Sequence, residues 1–188
     1  MMKKLLVTLI LCRFLFNSWA QDASVEKSTF GVQTGWFGFW LYYEAKLSKE
    51  IVLRSEIGIS GEFYINGYYD NSWFLVGPTF SLEPKWYYNI KRRNDKGKSI
   101  SGNSANFISL NTKFVPDWFY TTNNDKLIFF EQLSIIPTWG IRRNIGNHFN
   151  YEAGIGLGYI IYFRERVSIS ENEHDVAVNL HLRIGYKF

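Results

Sequence analysis

The chain has 188 residues, about one domain's length, and its 46% hydrophobic and 20% charged residues exclude a disordered or low-complexity polypeptide. A single Cys excludes an intramolecular disulfide framework and any multi-cysteine zinc site, while a formal charge of +4 raises the question of an acidic partner. Aromatic residues stand out at 19%, more than a soluble core requires and suited to surfaces that meet apolar and wet surroundings together.

Residues 1–20 account for most of the charge. A basic start with Lys3 and Lys4, an apolar run over 5–16 broken only by Arg13, and the small-x-small site Ser18-Trp19-Ala20 read as a secretory signal peptide cleaved after Ala20. The run falls short of the roughly 20 residues that a membrane-spanning helix needs. Leu11, before Cys12, is not the small residue of a lipoprotein site. Cleavage removes three bases, no acid and the Cys, so residues 21–188 carry 18 bases against 17 acids. That balance gives no support to a nucleic-acid partner. The folded domain is expected over 21–188.

Beyond Ala20 no apolar stretch approaches the length of a spanning helix, and the recurring pattern is period two, which places successive side chains on opposite faces of a strand. Residues 28–34 form a short first strand turning at Gly35-Trp36. Over 37–47, Phe37, Phe39, Leu41, Tyr43, Ala45 and Leu47 oppose Gly38, Trp40, Tyr42, Glu44 and Lys46. The tight turn Ser48-Lys49-Glu50 leads to a third run over 51–65. Residues 74–90 alternate from Phe74 to Ile90, although Pro78 and Pro84 each delete a ladder donor and normally mark an edge or bulge. Segment 91–102 is long and basic, with no role assigned beyond solvent exposure. Strands follow over 104–115 and 127–141, the latter with Glu131 on an otherwise apolar face. Residues 151–163 and 176–188 complete the set, separated from their predecessors by the tight turn 145–147 and the long connection 165–175.

Short and long connections alternate, as in transmembrane barrels with short periplasmic turns and longer outer loops. Eight strands keep both ends of the domain on one side. Alternation alone does not say which face is inside, and a soluble lipocalin-like barrel or a secreted sandwich has the same period. Gly154, Gly156 and Gly158 on the polar face suit a crowded interior, leaving room for Trp40, Tyr42 and Tyr87. Aromatics gather near strand ends, at Trp73-Phe74, Trp86, 118–120, Trp139, Tyr162-Phe163 and Tyr186, in the manner of interfacial girdles.

Tyr186-Lys187-Phe188, preceded by apolar residues at every second position back through Ile184 and Leu182 to Leu180, resembles the terminal-strand signal of Gram-negative outer-membrane β-barrel proteins. The resemblance implies an all-β, antiparallel up-and-down transmembrane barrel in the outer membrane. It also implies recognition of Leu182, Ile184, Tyr186 and Phe188 by the barrel-assembly machinery, and contact with outer-membrane lipids and lipopolysaccharide.

With the polar face inward, Glu44, Arg54, Glu56, Glu62, Glu83, Lys85, Glu152, His181 and Arg183 enter a lumen that, in an eight-stranded barrel, side chains can just fill. Buried charges must be paired, so these residues read as a plug of ion pairs, with a proton or small-ion pathway as the alternative. If 48–50 form a three-residue loop, Leu47 opposes Ile51 and Glu44 opposes Arg54.

Some small outer-membrane barrels modify lipid A, and Ser168, Ser170, Glu171, Glu173, His174 and Asp175 supply the residue types of a hydrolase or of an oxygen-rich cation site. No motif fixes their geometry, and a solvated acidic loop is the plainer reading. His148 reads as a turn residue and His181 as a hydrogen-bonded lumen residue. No phosphate loop or metal-binding spacing occurs, so no cofactor is expected. Two function classes remain. One is a non-catalytic barrel with structural or loop-mediated binding roles, in which Tyr68, Tyr69, Trp118, Phe119 and Tyr120 offer stacking surfaces. The alternative is a lipid A-modifying enzyme, an acyl hydrolase or transferase.

Overall fold

The computed structural model describes residues 23–36, 38–64, 73–123, 129–163 and 173–188. The expected signal segment and its expected cleavage after Ala20, loop 66–72 with Tyr68 and Tyr69, and Ser168, Ser170 and Glu171 lie outside these residues.

Alternating side chains produce strands β1 (Ser28–Gly35), β2 (Gly38–Lys46), β3 (Ile51–Tyr64) and β4 (Trp73–Trp86). Helix α1 (Ile90–Asp95) and a 3-10 turn (Ser101–Asn103) precede β5 (Asn106–Val115) and the two-residue β6 (Thr121–Thr122). Strands β7 (Gln132–Ile145), β8 (Phe149–Tyr162) and β9 (Glu173–Lys187) follow. Antiparallel pairing runs from β1 through β5 to β7, β8 and β9, and β9 returns to β1, closing an eight-stranded up-and-down barrel. Extending the register in which Phe80 faces Phe114 would bring residue 118 to Val76; Thr121 stands there instead, so three residues beyond Pro116 are looped out and β6 resumes the β5 path.

The prolines fall where ladders lapse. Pro84 lies in the gap of the β4–β5 register between Leu82 and Lys85, and Pro137 lies in the β7–β8 gap between Ile135 and Thr138. Each missing N–H therefore points at a neighbour with no pairing to lose at that height. Strand β4 stops at Trp86, short of the expected 90: the Tyr87 N–H donates to the Glu50 carbonyl at 2.8 Å as the last rung of the β3–β4 register, and the chain then turns, with the Ile90 N–H on the Tyr87 carbonyl at 3.1 Å and the Arg93 N–H on the Asn89 carbonyl at 3.0 Å as α1 begins. Strand β7 starts at Gln132, so Glu131 precedes the strand and the apparent lapse on its apolar face disappears.

The basic segment 91–102 is more than a solvated connection, which corrects the sequence expectation. It folds over the barrel end at which the described part of the chain begins and ends, where Val25, Val52, Tyr87, Ile90, Ala105 and Phe107 form a buried apolar cluster joined by Ile100. Burying each large side chain of this cluster contributes about 1.5–3 kcal/mol. Asn103, at the end of the 3-10 turn, is fully buried and donates to Glu44 Oε2 at 2.7 Å, while its Oδ1 accepts from the Glu26 N–H at 2.8 Å.

Alternation sorts the two faces by polarity. Leu41, Ile57, Ile59, Leu82, Leu157 and Val178 face outward and exposed, whereas Gln33, Glu44, Arg54, Glu83, Lys85, Arg142 and Glu152 face inward and buried. Glycines make the interior wide enough, but not those expected to serve the large rings. Gly38 and Gly58 carry the Trp40 indole, Gly31 the Tyr42 ring and Gly140 the Phe107 ring, each too close for a Cβ; Gly154 receives His181, and Gly156 and Gly158 adjoin the β7 backbone.

Closure between β1 and β9 is short, from Gly31 opposite Lys187 to Gly35 opposite Arg183. The β1–β2 hairpin turns immediately afterwards, with Gly35 opposite Gly38. Among the described residues, the 173–182 part of β9 therefore pairs with β8 alone.

Candidate functional site

Six strands deliver charge to one level of the lumen. Strand β2 brings Glu44, β3 brings Arg54 and Glu56, β4 brings Glu83 and Lys85, β7 brings Arg142, β8 brings Glu152, and β9 brings Arg183. These eight residues are four carboxylates and four cations, so their formal charges cancel.

The register places Glu44 opposite Arg54, and Arg54 Nη1 donates to Glu44 Oε1 at 2.9 Å. The same guanidinium donates through Nε to Glu56 Oε1 and through Nη2 to Gln33 Oε1, both at 2.5 Å. Arg142 Nη1 reaches Glu44 Oε1 from the opposite wall at 2.5 Å, with its Nη2 on the Tyr42 hydroxyl at 2.9 Å. Lys85 Nζ lies 2.6 Å from Glu152 Oε1 and 3.3 Å from Glu83 Oε2. Arg183 Nη1 spans both Glu56 oxygens at 2.8 and 3.0 Å. Glu152 Oε2 lies 3.6 Å from both Arg54 and Arg142, close enough for ionic attraction and too far for a hydrogen bond.

Aromatic faces complete the setting. The Arg54 guanidinium lies 4.2 Å and that of Arg142 4.9 Å from the Tyr42 ring centre, Lys85 Nζ 4.1 Å from that of Phe107, and Arg183 4.3 Å from that of Trp40. Such contacts stabilise cations that burial has stripped of water. Neutral donors fill further carboxylate positions: Thr29, Tyr87 and Asn103 on Glu44, Ser81 on Glu56 and Ser109 on Glu83, while Glu152 Oε2 has ionic neighbours only.

Of the lumen residues expected from sequence, the structure brings Glu44, Arg54, Glu56, Glu83, Lys85, Glu152 and Arg183 into this network. His181 lies at its edge, with Nε2 3.5 Å from Glu152 Oε1 and Nδ1 3.3 Å from Asn179 Oδ1. The side chain of Glu62 lies outside the described part. Sequence reasoning missed Arg142, Gln33 and Asn103. Arg142 carries the period of 127–141 one residue further, and an excess of acids among the expected inward residues was the signal of a missing base.

Above the network is a cavity of about 190 Å³ lined by Trp40, Ser60, Asn111, Lys113, Asn179 and His181, with Trp36 at the hairpin tip beside it. The acidic cluster near residue 170 is not assembled as a catalytic group in its described part. His174 and Asp175 belong to β9, opposite Ile161 and Ile160, and as consecutive strand residues they point to opposite faces. An Asp so placed cannot orient its neighbouring His. His148 Nδ1 lies 3.0 Å from the Lys187 carbonyl and its ring stacks on Tyr186. Among the described residues no three His, Asp, Glu or Cys side chains gather in a way that could hold a metal ion.

Tyr186 and Phe188, with Phe30, Phe149 and His148, make an outward aromatic cluster at the termini, in which Phe30 and Phe188 stack at 5.4 Å and Tyr186 meets Phe149 and Phe188 edge-on. Leu182 and Ile184 are exposed on the same outer face of β9. Trp118 and Phe119 are exposed at the other end, with ring centres 6.5 Å apart. Compared with known proteins, the chain matches no family model, no curated protein and no solved structure.

Proposed function

We propose that the protein is a non-catalytic integral outer-membrane β-barrel, its lumen sealed by the ion-pair network and its outer loops free to bind. The observation that carries this reading is inverted polarity. Leu157 is 65% and Leu180 79% exposed on the outer wall, whereas Arg54, Lys85 and Arg142 are completely buried inside. A lipocalin-like barrel in water has the opposite arrangement, and a contiguous apolar exterior of this extent calls for a lipid or protein covering. Strand length supports the bilayer: β3, β4, β7 and β8 have 14 residues each, beyond the roughly 9–11 needed to cross. Around the level of the ion pairs, where β9 returns to β1, the wall also closes on itself and satisfies strand backbone groups internally, as a hydrocarbon surrounding demands.

Packing supports the seal. Glu44, Arg54, Lys85, Arg142 and Glu152, together with Tyr87, Phe107, Ile90 and Asn103, block the end that carries the termini and have essentially no accessible surface. The lipid A enzyme gains no support, since His174 and Asp175 diverge and His181 contacts an amide and a carboxylate.

Two measurements test the reading. Purified outer membranes are expected to contain the protein, with unheated samples migrating differently from boiled ones on SDS gels; no shift and no membrane association overturns the placement. Liposomes carrying the refolded barrel are expected to swell no faster in sugars or salts than protein-free ones, and flux well above that control rejects the seal.

A further inference from the structure

A second charged site lies outside the lumen, at the barrel end that carries the termini. Arg92, Arg93, Lys96, Lys98 and Arg143 line one pocket of about 230 Å³ together with Asn89 and Asn106, and no acid contributes to its wall. Arg93 and Arg143 come from segments 50 residues apart in sequence, α1 and the outer face of β7.

Both arginines are held by neutral acceptors. Arg93 Nη2 donates to the Ser99 carbonyl at 3.0 Å, and Arg143 donates to the Arg142 carbonyl and to Asn106 Oδ1, both at 2.6 Å. Asn106 is fixed in turn by its N–H on Asn89 Oδ1 at 2.8 Å. Arg93 Nε is buried without a hydrogen-bond partner. The lumen network matches cations to carboxylates one for one, whereas here like charges converge and are oriented without being neutralised. Such an arrangement repels itself until an anion enters.

Position says which anion. The pocket adjoins an aromatic belt in which the Trp139 indole donates to the Tyr88 hydroxyl at 3.0 Å, Asn106 Nδ2 donates to the same hydroxyl at 3.3 Å, and Trp86 meets Tyr88 edge-on. Trp86, Ile108 and Trp139 stand side by side in the register and are exposed on the outer wall. Belts of this kind sit at the headgroup level, so the cations lie immediately on its aqueous side, where phosphates are found.

We infer that this pocket binds the phosphate of an anionic phospholipid in the periplasmic leaflet, with Arg93 and Arg143 as its principal ligands. The inference rests on the proposed membrane insertion. The test uses the complete barrel in detergent, with phosphatidylglycerol and phosphatidylcholine as probes and bound lipid counted by native mass spectrometry. Wild type is expected to retain phosphatidylglycerol preferentially. The R93Q/R143Q variant is expected to bind it roughly thirtyfold more weakly, given the contribution of each base near an anionic headgroup. R92Q/K96Q, which removes only exposed members, is expected to weaken binding several-fold, while R93K/R143K keeps most of it and Lys49→Gln, in a turn at the same end, changes nothing. Inorganic phosphate at millimolar concentration is expected to leave lipid retention unchanged; displacement by it assigns the pocket to free anions and overturns the headgroup assignment. Vesicle flotation separates the two readings. Wild type that fails to float rejects membrane insertion, whereas floating proteins with equal lipid retention in wild type and both Gln variants reject the pocket alone.

Discussion

Near the termini, the barrel interior holds Arg54, Lys85 and Arg142 with no accessible surface, each within ionic reach of at least two carboxylates. Toward the other end the same inward rows carry Ser60, Asn111, Lys113 and Asn179 around a cavity of about 190 Å³, beside a β9 segment that pairs on one side only among the described residues. One half is closed by matched charge, and the other is polar with room to spare. Shape explains the contrast. The short β1 and β2 strands, of 8 and 9 residues, complete the wall only around the ion-pair level, so full enclosure and full charge pairing coincide there. Low dielectric makes unpaired charge intolerable in the enclosed half.

The largest effect should follow from breaking the enclosed half. Arg54→Met leaves Glu44, Glu56 and Glu152 short of a partner and is expected to destabilise the refolded barrel by about 3–5 kcal/mol, read from urea unfolding by gel mobility. A loss below about 1 kcal/mol would show that the cluster does not hold the barrel together. Next comes the outer wall at mid-height, where Ile57 stands between Leu41 and Phe80. Ile57→Arg is expected to cost about 2–4 kcal/mol of stability in lipid vesicles. A neutral outcome would favour an aqueous or protein covering over lipid. The smallest effect belongs to the open half: Asn179→Ala removes two side-chain hydrogen bonds, the 3.0 Å donation to Thr138 Oγ1 and the 3.3 Å contact of its Oδ1 with His181 Nδ1, and is expected to cost about 1–2 kcal/mol. If the Asn179 change matched that of Arg54, the two halves would be energetically alike and the contrast would fail.

How much was legible varies along the chain. Strand positions and the two faces were visible because the side-chain period of an extended backbone is two wherever a strand lies between unlike surroundings. The pair formed by Glu44 and Arg54 was visible because a three-residue loop sets the register of its own hairpin. Strand ends were less so. The alternation over 74–90 runs past Trp86 into residues that the chain uses for a turn and a helix, and a period cannot report where the Ile90 N–H closes a turn on the Tyr87 carbonyl. Arg142 was overlooked because its strand was ended one residue early, although the surplus of inward acids already called for another base. The basic segment 91–102 had no periodic signal, since its structure comes from packing Ile90 and Ile100 on the barrel end and from the bond between Asn103 and Glu44.

By itself the sequence determined an all-β chain of alternating strands, with a charged face and an apolar face and with charges on the former that had to be paired. Tertiary structure alone decided which partners met: Arg142 with Glu44, Lys85 with Glu152 and Arg183 with Glu56 lie 98, 67 and 127 residues apart, and Arg93 joins Arg143 in a pocket with no counter-charge in its wall. The reason is physical. Alternation is a local property of each strand, whereas contacts across the lumen and over the barrel end depend on closure and stagger, which arise only when all eight strands are in place.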